Sequence, residues 1–360
     1  MCELLGLSFN ISIKPSISFT GFRSKGEQNP DGWGIAYYPV AYTKNKSSGK
    51  YVPNKYKSEK SAQIIKEPIK PENSKLSRFL INHQKIESKL IISHLRKSTK
   101  GKKNHTNTHP FSRELYGKEY VFAHNGTIQN KRLSSTGKFT PIGSTDSENI
   151  FCYLLNCIEE HGIAQWDFES FEWLSNKLNE INENGKLNCI FSDSEYLFCY
   201  QDNNLFNKLC YINRKPPNGT IRLSDNDLEI DLDEEKDDNQ TGYVIATKKL
   251  TDENWIDFEP GELLVFKNGS LIYSNKCYIE HPNKNPISIE REILAVLRSH
   301  SHRVSLNHIS QLSSGSIHEV KRAINSLLFD GYIRQDRRDR VSCNHEKATF
   351  YTNPIKRNYI

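Results

Sequence analysis

A cysteine stands directly after the initiator methionine, and the chemistry of this sequence begins there. Cysteine is small enough at that position for the methionine to be trimmed, which would leave Cys2 with its thiol and a free α-amine on one carbon. An α-amine has a pKa of roughly 7.7–8.0, so it can act as a base near neutrality, directly or through one water. The plainer reading of the same residue is a small buried cysteine. Asn125-Gly126 follows an apolar run, Tyr120–Ala123. The pair reads either as a turn or as an oxyanion hole, with the Asn125 amide and the Gly126 N–H aimed at one developing negative oxygen. Arg96 follows a second apolar run, Leu90–His94, as a strand-end charge or as a bidentate grip on a carboxylate. Thr145 and Glu148 match a helix capping box that sets Asp146 in a first helical turn; the alternative makes Asp146 the receiver of an ammonium.

The elements that must hold these residues read as mixed α and β. Short segments rich in Ile, Val, Phe and Tyr (Leu90–His94, Tyr120–Ala123, Leu187–Phe191, Tyr196–Tyr200, Tyr243–Ala246, Leu263–Phe266) are bounded by Gly, Asn, Asp and Ser, a strand signature. Asn268-Gly269 predicts a hairpin, because a type I′ turn needs positive φ twice. One helix is expected after Thr145, with Ile150, Phe151, Leu154, Leu155 and Ile158 on one face. A second carries Phe168, Phe171, Leu174, Leu178 and Ile181 and stops near Gly185. A Lys-rich stretch, 41–75, and an acidic one, 225–238, are expected to be solvated loops, and His281–Pro286 is the expected linker.

Composition narrows the classes. The 360 residues suffice for two domains, and 17 Phe, 17 Tyr and 4 Trp can seed an ordinary core. No apolar run approaches the roughly 20 residues of a membrane span, and the N-terminus lacks the basic start of a secretory signal. The eight cysteines show no CxxC pair and no regular spacing, which argues against a disulfide framework or a zinc site and for a reducing cytoplasm. Residues 287–360 hold 12 Lys+Arg against 7 Asp+Glu, so a basic tail follows a nearly neutral body.

Taken together, MCELLG, DGWGIAYY, SHLR, NTHPFSRELYG, FAHNG and TDSE, with the later VIATKKL, resemble the class II glutamine amidotransferases, and most of all their stand-alone YafJ-like branch. The likeness spans roughly residues 1–275. It implies an α+β fold, a four-layer αββα N-terminal-nucleophile hydrolase sandwich over residues 2–280. It also implies roles: Cys2 as nucleophile and base, Asn125 and Gly126 as the oxyanion hole, Arg96 on the α-carboxylate of glutamine and Asp146 on its α-amine. Thr99 falls where the family supports the substrate, and Trp33, Gly34, His109 and His124 fall in motif positions with supporting roles. Lys100 departs from the His of sugar-transferring members, which bears on accessory contacts only. The implied substrate is glutamine or a γ-glutamyl compound, with no cofactor and no metal. No GxxxxGK loop or GxGxxG turn suggests a synthase domain, so the acceptor of any ammonia would be a separate enzyme, or the reaction plain hydrolysis.

Residues 287–355 resemble a small winged helix-turn-helix domain, in which AINSLLFDGYIRQDRRDR looks like the third helix and wing. That likeness implies a DNA or protein partner, with Lys321, Arg322, Arg334, Arg337, Arg338 and Arg340 as nucleic-acid contacts. A different class of function follows from the same two parts: a DNA-binding regulator whose body senses glutamine or a related metabolite without turning it over.

Overall fold

A computed structural model describes residues 2–15, 22, 25–45, 50–82, 86–98, 101–129, 137–216, 220–222, 229–231, 239–276, 288–300, 303–313, 320–321, 323–324, 327–328, 332–335 and 349–352. The chain divides into two compact units, residues 1–270 and 271–360.

Beside two small two-stranded sheets, two large antiparallel ones organise the first unit. The strand order in one is Ile256–Asp257, Cys210–Arg214, Gly242–Ala246, Glu3–Ile13, Ser88–Arg96, Gly32–Tyr37, Gln63–Glu67. In the other it is Ser270–Ser274, Leu263–Lys267, Tyr196–Tyr200, Gly185–Ser192, Lys118–Ile128, Phe111–Leu115. The strand that follows Cys2 is therefore central, with Leu5 opposite Ser93 on one side and Ala246 on the other. Every residue from Glu3 to Phe9 is buried, because both faces of this strand are covered. Leu5, Leu7, Phe9 and Ile13 join an outer core with Trp33, Ile35 and Trp255, while Gly6 faces the second sheet. A Cβ on Gly6 would lie 3.2–3.3 Å from Ile190 and Leu197, so glycine lets the two sheets approach closely.

The helices Asp146–Glu160 and Phe168–Asn182 match the expected pattern, and both contact strands of the six-stranded sheet. Helical cover is thinner over the other sheet, where the short helix Lys75–Asn82 contributes Leu80, and Phe22, Leu250 and Trp255 complete the layer. The expected turn is present: Asn268 (φ 48°) and Gly269 (φ 71°) join the Leu263–Lys267 and Ser270–Ser274 strands.

Two expectations are corrected. The Lys-rich stretch is not simply a loop, for it supplies strands Tyr51–Ser58 and Gln63–Glu67 and most of Val40–Lys44. Ile64 and Ile65 lie opposite Ala36 and Ile35, which draws that edge into the main sheet. The capping box is only half made. The Thr145 hydroxyl accepts from the Glu148 N–H, but the Glu148 carboxylate turns to Arg113 (2.7 Å) and to the N–H groups of Ile142 and Gly143. Of the acidic stretch only Glu229–Asp231 is described, as a short strand paired with Thr220–Arg222.

The second unit holds helices Ser288–Ser299 and Leu306–Leu312 and a three-stranded sheet ordered Val304–Ser305, Thr349–Thr352, Ile333–Gln335. Ile293, Leu297, Leu306, Ile309, Val320, Ile324, Leu327, Leu328 and Phe350 form its core. Leu312, the last residue of its helix, is exposed, and Ser313 caps the helix end. The linker His281–Pro286 lies outside the described residues.

Candidate active site

Seven of the sequence-predicted residues line one pocket of about 310 Å³: Cys2, Arg96, His109, His124, Asn125, Gly126 and Asp146, with Lys97, Ser98, Thr127, Thr145, Ser147 and Phe206. They arrive from separate elements. Cys2 precedes the central strand, Arg96 ends its neighbour, Asn125 and Gly126 lie near the end of Lys118–Ile128, and Asp146 opens a helix.

The Cys2 thiol is partly buried and free. Its sulfur accepts from the Lys97 N–H (3.2 Å) and can donate to the Lys97 carbonyl (3.3 Å). Burial pushes the thiol's pKa up, although the Lys97 N–H, the chain-terminal ammonium and the Arg96 guanidinium act the other way. A thiol in that state is protonated at neutral pH and needs a base before it can attack. The Cys2 carbonyl accepts two side-chain amides, Asn125 Nδ2 at 2.6 Å and Asn207 Nδ2 at 3.2 Å. Asn125 Nδ2 carries two hydrogens, so fixing one on Cys2 aims the other.

Arg96 is buried and donates to Ser98 Oγ at 3.2 Å. Asp31 accepts the Ser98 N–H (2.7 Å) and pairs with Lys103. Burial raises the Asp31 carboxyl, but Lys103 and the Ser98 N–H outweigh that and hold it below its ordinary range. Asp31 thereby anchors the segment whose Lys97 grips the thiol. Asp146 accepts the N–H groups of Ile128 (2.9 Å) and Ser147 (3.0 Å), which fixes its carboxylate between a strand end and a helix start. Neither Trp33 nor Gly34 lines the pocket: Trp33 belongs to the outer core, and a Cβ on Gly34 would lie 2.2 Å from the His109 carbonyl. Thr99 and Lys100 lie outside the described residues. So do Arg322, Arg337, Arg338 and Arg340, while Lys321 and Arg334 are described in the second unit.

Three buried histidines stand at the pocket, His109 and His124 in its wall and His94 against His109. His124 Nδ1 meets Ser147 Oγ (2.9 Å) and its Nε2 meets the Lys186 carbonyl (3.1 Å), so the Nε2–H tautomer donates to the carbonyl and accepts from the serine. His94 and His109 stack with ring centroids 4.1 Å apart, and no ring nitrogen of either has a partner at hydrogen-bond geometry among the described residues. Burial, then the charges of His124 and Arg96, depresses His94 to about 3; the nearby His124 backbone opposes this without offsetting it. Burial likewise holds His109 well below its ordinary value. Both rings are therefore neutral at working pH. An unfolded chain protonates near pH 6.5, so it binds the extra proton between about 6.5 and about 3, and stability falls as pH drops through that window. Chemical denaturation in steps of pH should show a loss of about 1.4 kcal/mol per unit for each such histidine, and His94→Leu should remove one histidine's share of the slope.

Asn207 and Phe206 were not legible as site residues. They sit in a loop where Leu205 (φ 55°) and Asn207 (φ 44°) adopt the left-handed region and Asp202 accepts the Asn204 and Phe206 N–H groups. Asn188 holds the carbonyls of Phe206 and Asn207, and Lys186 Nζ lies 4.4 Å from the Phe206 ring centre. Glycine at 207 keeps the backbone conformation while removing the amide. Asn207→Gly should lower kcat about tenfold with KM and melting temperature near wild type, as read by steady-state kinetics and thermal denaturation.

The family model described as "Glutamine amidotransferases class-II" matches residues 1–290. The chain belongs to this family. Among class II glutamine amidotransferase relatives, the Escherichia coli protein YafJ, named for that expected activity, is 32% identical across 76% of this chain and all of its own length. The uncharacterized protein MJ1515 of Methanocaldococcus jannaschii is 42% identical across 99% of this chain and 94% of its own. The crystal structure of a predicted glutamine amidotransferase from Pseudomonas aeruginosa superposes with a TM-score of 0.53 at 26% identity, covering 76% of this chain and 100% of that one. Membership makes an amidotransferase body with an N-terminal-nucleophile fold the frame for the pocket. Among the described residues, no helix is long and apolar enough to cross a membrane, and no group of three or more His, Cys, Asp and Glu could hold a metal.

Proposed function

We propose that this class II glutamine amidotransferase cleaves the side-chain amide of glutamine or a γ-glutamyl compound through Cys2. The observation that carries the reading is the gathering of Cys2, Arg96, Asn125, Gly126 and Asp146 around one pocket. Once Met1 is removed, the Cys2 α-amine takes the thiol proton and the thiolate attacks the amide carbon. Asn125 Nδ2 and the Gly126 N–H receive the charge on the tetrahedral oxygen. The α-ammonium returns its proton to the departing nitrogen, which leaves as ammonia or an amine, and a γ-glutamyl thioester remains. Water, deprotonated by the same amine, attacks that thioester and releases glutamate. Arg96 and Asp146 supply opposite charges for the substrate's carboxylate and ammonium, and an analogue lacking either forgoes a charge-assisted hydrogen bond worth about 1.5–3 kcal/mol.

Intact-mass measurement of the purified chain, together with glutamate release from glutamine and covalent capture by an electrophilic glutamine mimic, tests the reading. Loss of Met1 and a single adduct at Cys2 are expected. A retained Met1, or an adduct elsewhere, would overturn it. Ammonia either escapes or passes to a separate acceptor enzyme. The helices and three-stranded sheet of the second unit support reading residues 287–355 as a winged helix-turn-helix module. Its place would be as a docking or nucleic-acid element beside the amidotransferase body.

A further inference from the structure

In the second unit two histidine rings meet at a junction between helices. His300 follows the helix Ser288–Ser299, and His308 lies in Leu306–Leu312. Their Nε2 atoms are 3.3 Å apart, the ring centroids are 5.2 Å apart and the rings are perpendicular, at 89°. A tetrahedral ion with metal–nitrogen bonds of about 2.05 Å sets two imidazole nitrogens about 3.3 Å apart and their ring centres, about 1.15 Å further back, about 5.2 Å apart. The observed separation matches the chelate.

The tautomer agrees. His300 Nδ1 lies 2.7 Å from the Val296 carbonyl, one of the carbonyls left open at the end of its helix, and 3.1 Å from Ser299 Oγ. An Nδ1–H donated to that carbonyl leaves the Nε2 lone pair directed at His308, the outer-shell arrangement by which proteins orient ligating histidines. His308 is exposed, so solvent can reach the junction and complete the coordination.

We infer that His300 and His308 form a two-histidine site for a late divalent transition metal, of which zinc is the type, with water in the remaining positions. Imidazole donors suit zinc, copper and nickel and disfavour the oxygen-seeking magnesium and calcium. A bound ion clamps the end of one helix to the next, so the order of this junction follows metal supply. This site is independent of the glutamine reaction, and its ligands are not cysteines.

The test uses the full-length chain without an affinity tag. Zinc titration by calorimetry should show one ion per chain whose affinity falls at least tenfold in His300→Ala and in His308→Ala and persists in Cys2→Ala. Copper(II) loaded in place of zinc should show, by electron paramagnetic resonance, coupling to two imidazole nitrogens in the wild type and to one in each histidine variant. Circular dichroism in metal-free buffer checks that the variants fold; the exposed His308 position keeps the test open if His300→Ala does not. Zinc affinity within twofold of wild type in the folded histidine variants overturns the site, as does a loss confined to Cys2→Ala.

Discussion

Alanine at position 2 is expected to abolish glutamate release, by about 10⁴-fold or more, while the chain folds as before. The size of the effect follows from the double use of one residue in the proposed mechanism, where the sulfur would form the bond to the substrate and the nitrogen on the same carbon would move the protons. Cys2→Ala keeps the nitrogen and loses the sulfur, so it separates the two. Among the described residues the Cys2 Sγ hydrogen-bonds only the backbone of Lys97, and the variant's melting temperature should stay near wild type. Glutamate release by coupled assay and thermal denaturation together check this. Activity within tenfold of wild type would place the attacking group elsewhere.

The second large effect is expected at Asn125. Its amide touches the Cys2 carbonyl at 2.6 Å and offers its other hydrogen to the pocket. Removing it takes away the donor proposed for the tetrahedral oxygen and one of the two side-chain amides that hold the Cys2 carbonyl. Asn125→Ala should lower kcat by about 10²–10³, with a much smaller change in KM, because the lost interaction strengthens only as negative charge develops. Asn125→Asp keeps the shape but replaces donor with acceptor, and it should be at least as impaired. Parallel steady-state kinetics on both variants make the check; a defect expressed mainly in KM would argue for ground-state binding instead.

The parts of the site legible in the sequence were those whose residue types announce their chemistry. A second-position cysteine, an Asn-Gly after an apolar strand and an acid behind a Thr cap each carry a local physical signature. Asp31 lay inside a recognisable motif, yet its work is to anchor a segment some 67 residues distant, and no local pattern encodes such a partner. Asn207 was hidden for a different reason. Its surroundings, NNLFNK, look like any polar loop, and the positive φ values that present its amide to Cys2 belong to side chains other than glycine. In the Lys-rich stretch, charge masked the strands. Tyr42, Tyr51 and Tyr56 are mostly exposed, so neither burial nor alternation marked the hairpin, and only Ile64 and Ile65 show the pull of the sheet. The paired histidines of the second unit were invisible because one follows the end of a helix and the other lies in the next, so they share no helical face.

The strand that opens the chain completes its pairing late. Its two neighbours are residues 88–96 and residues 242–246, and Leu4 hands its amide to Thr247. During synthesis this segment must therefore wait until about two-thirds of the polypeptide has emerged from the ribosome before its sheet can close, with its greasy flank and reactive end unprotected meanwhile. Truncations ending before residue 242 should consequently collect as aggregates, and chaperone demand should peak in the interval when the nascent chain is long enough to collapse but too short to zip shut.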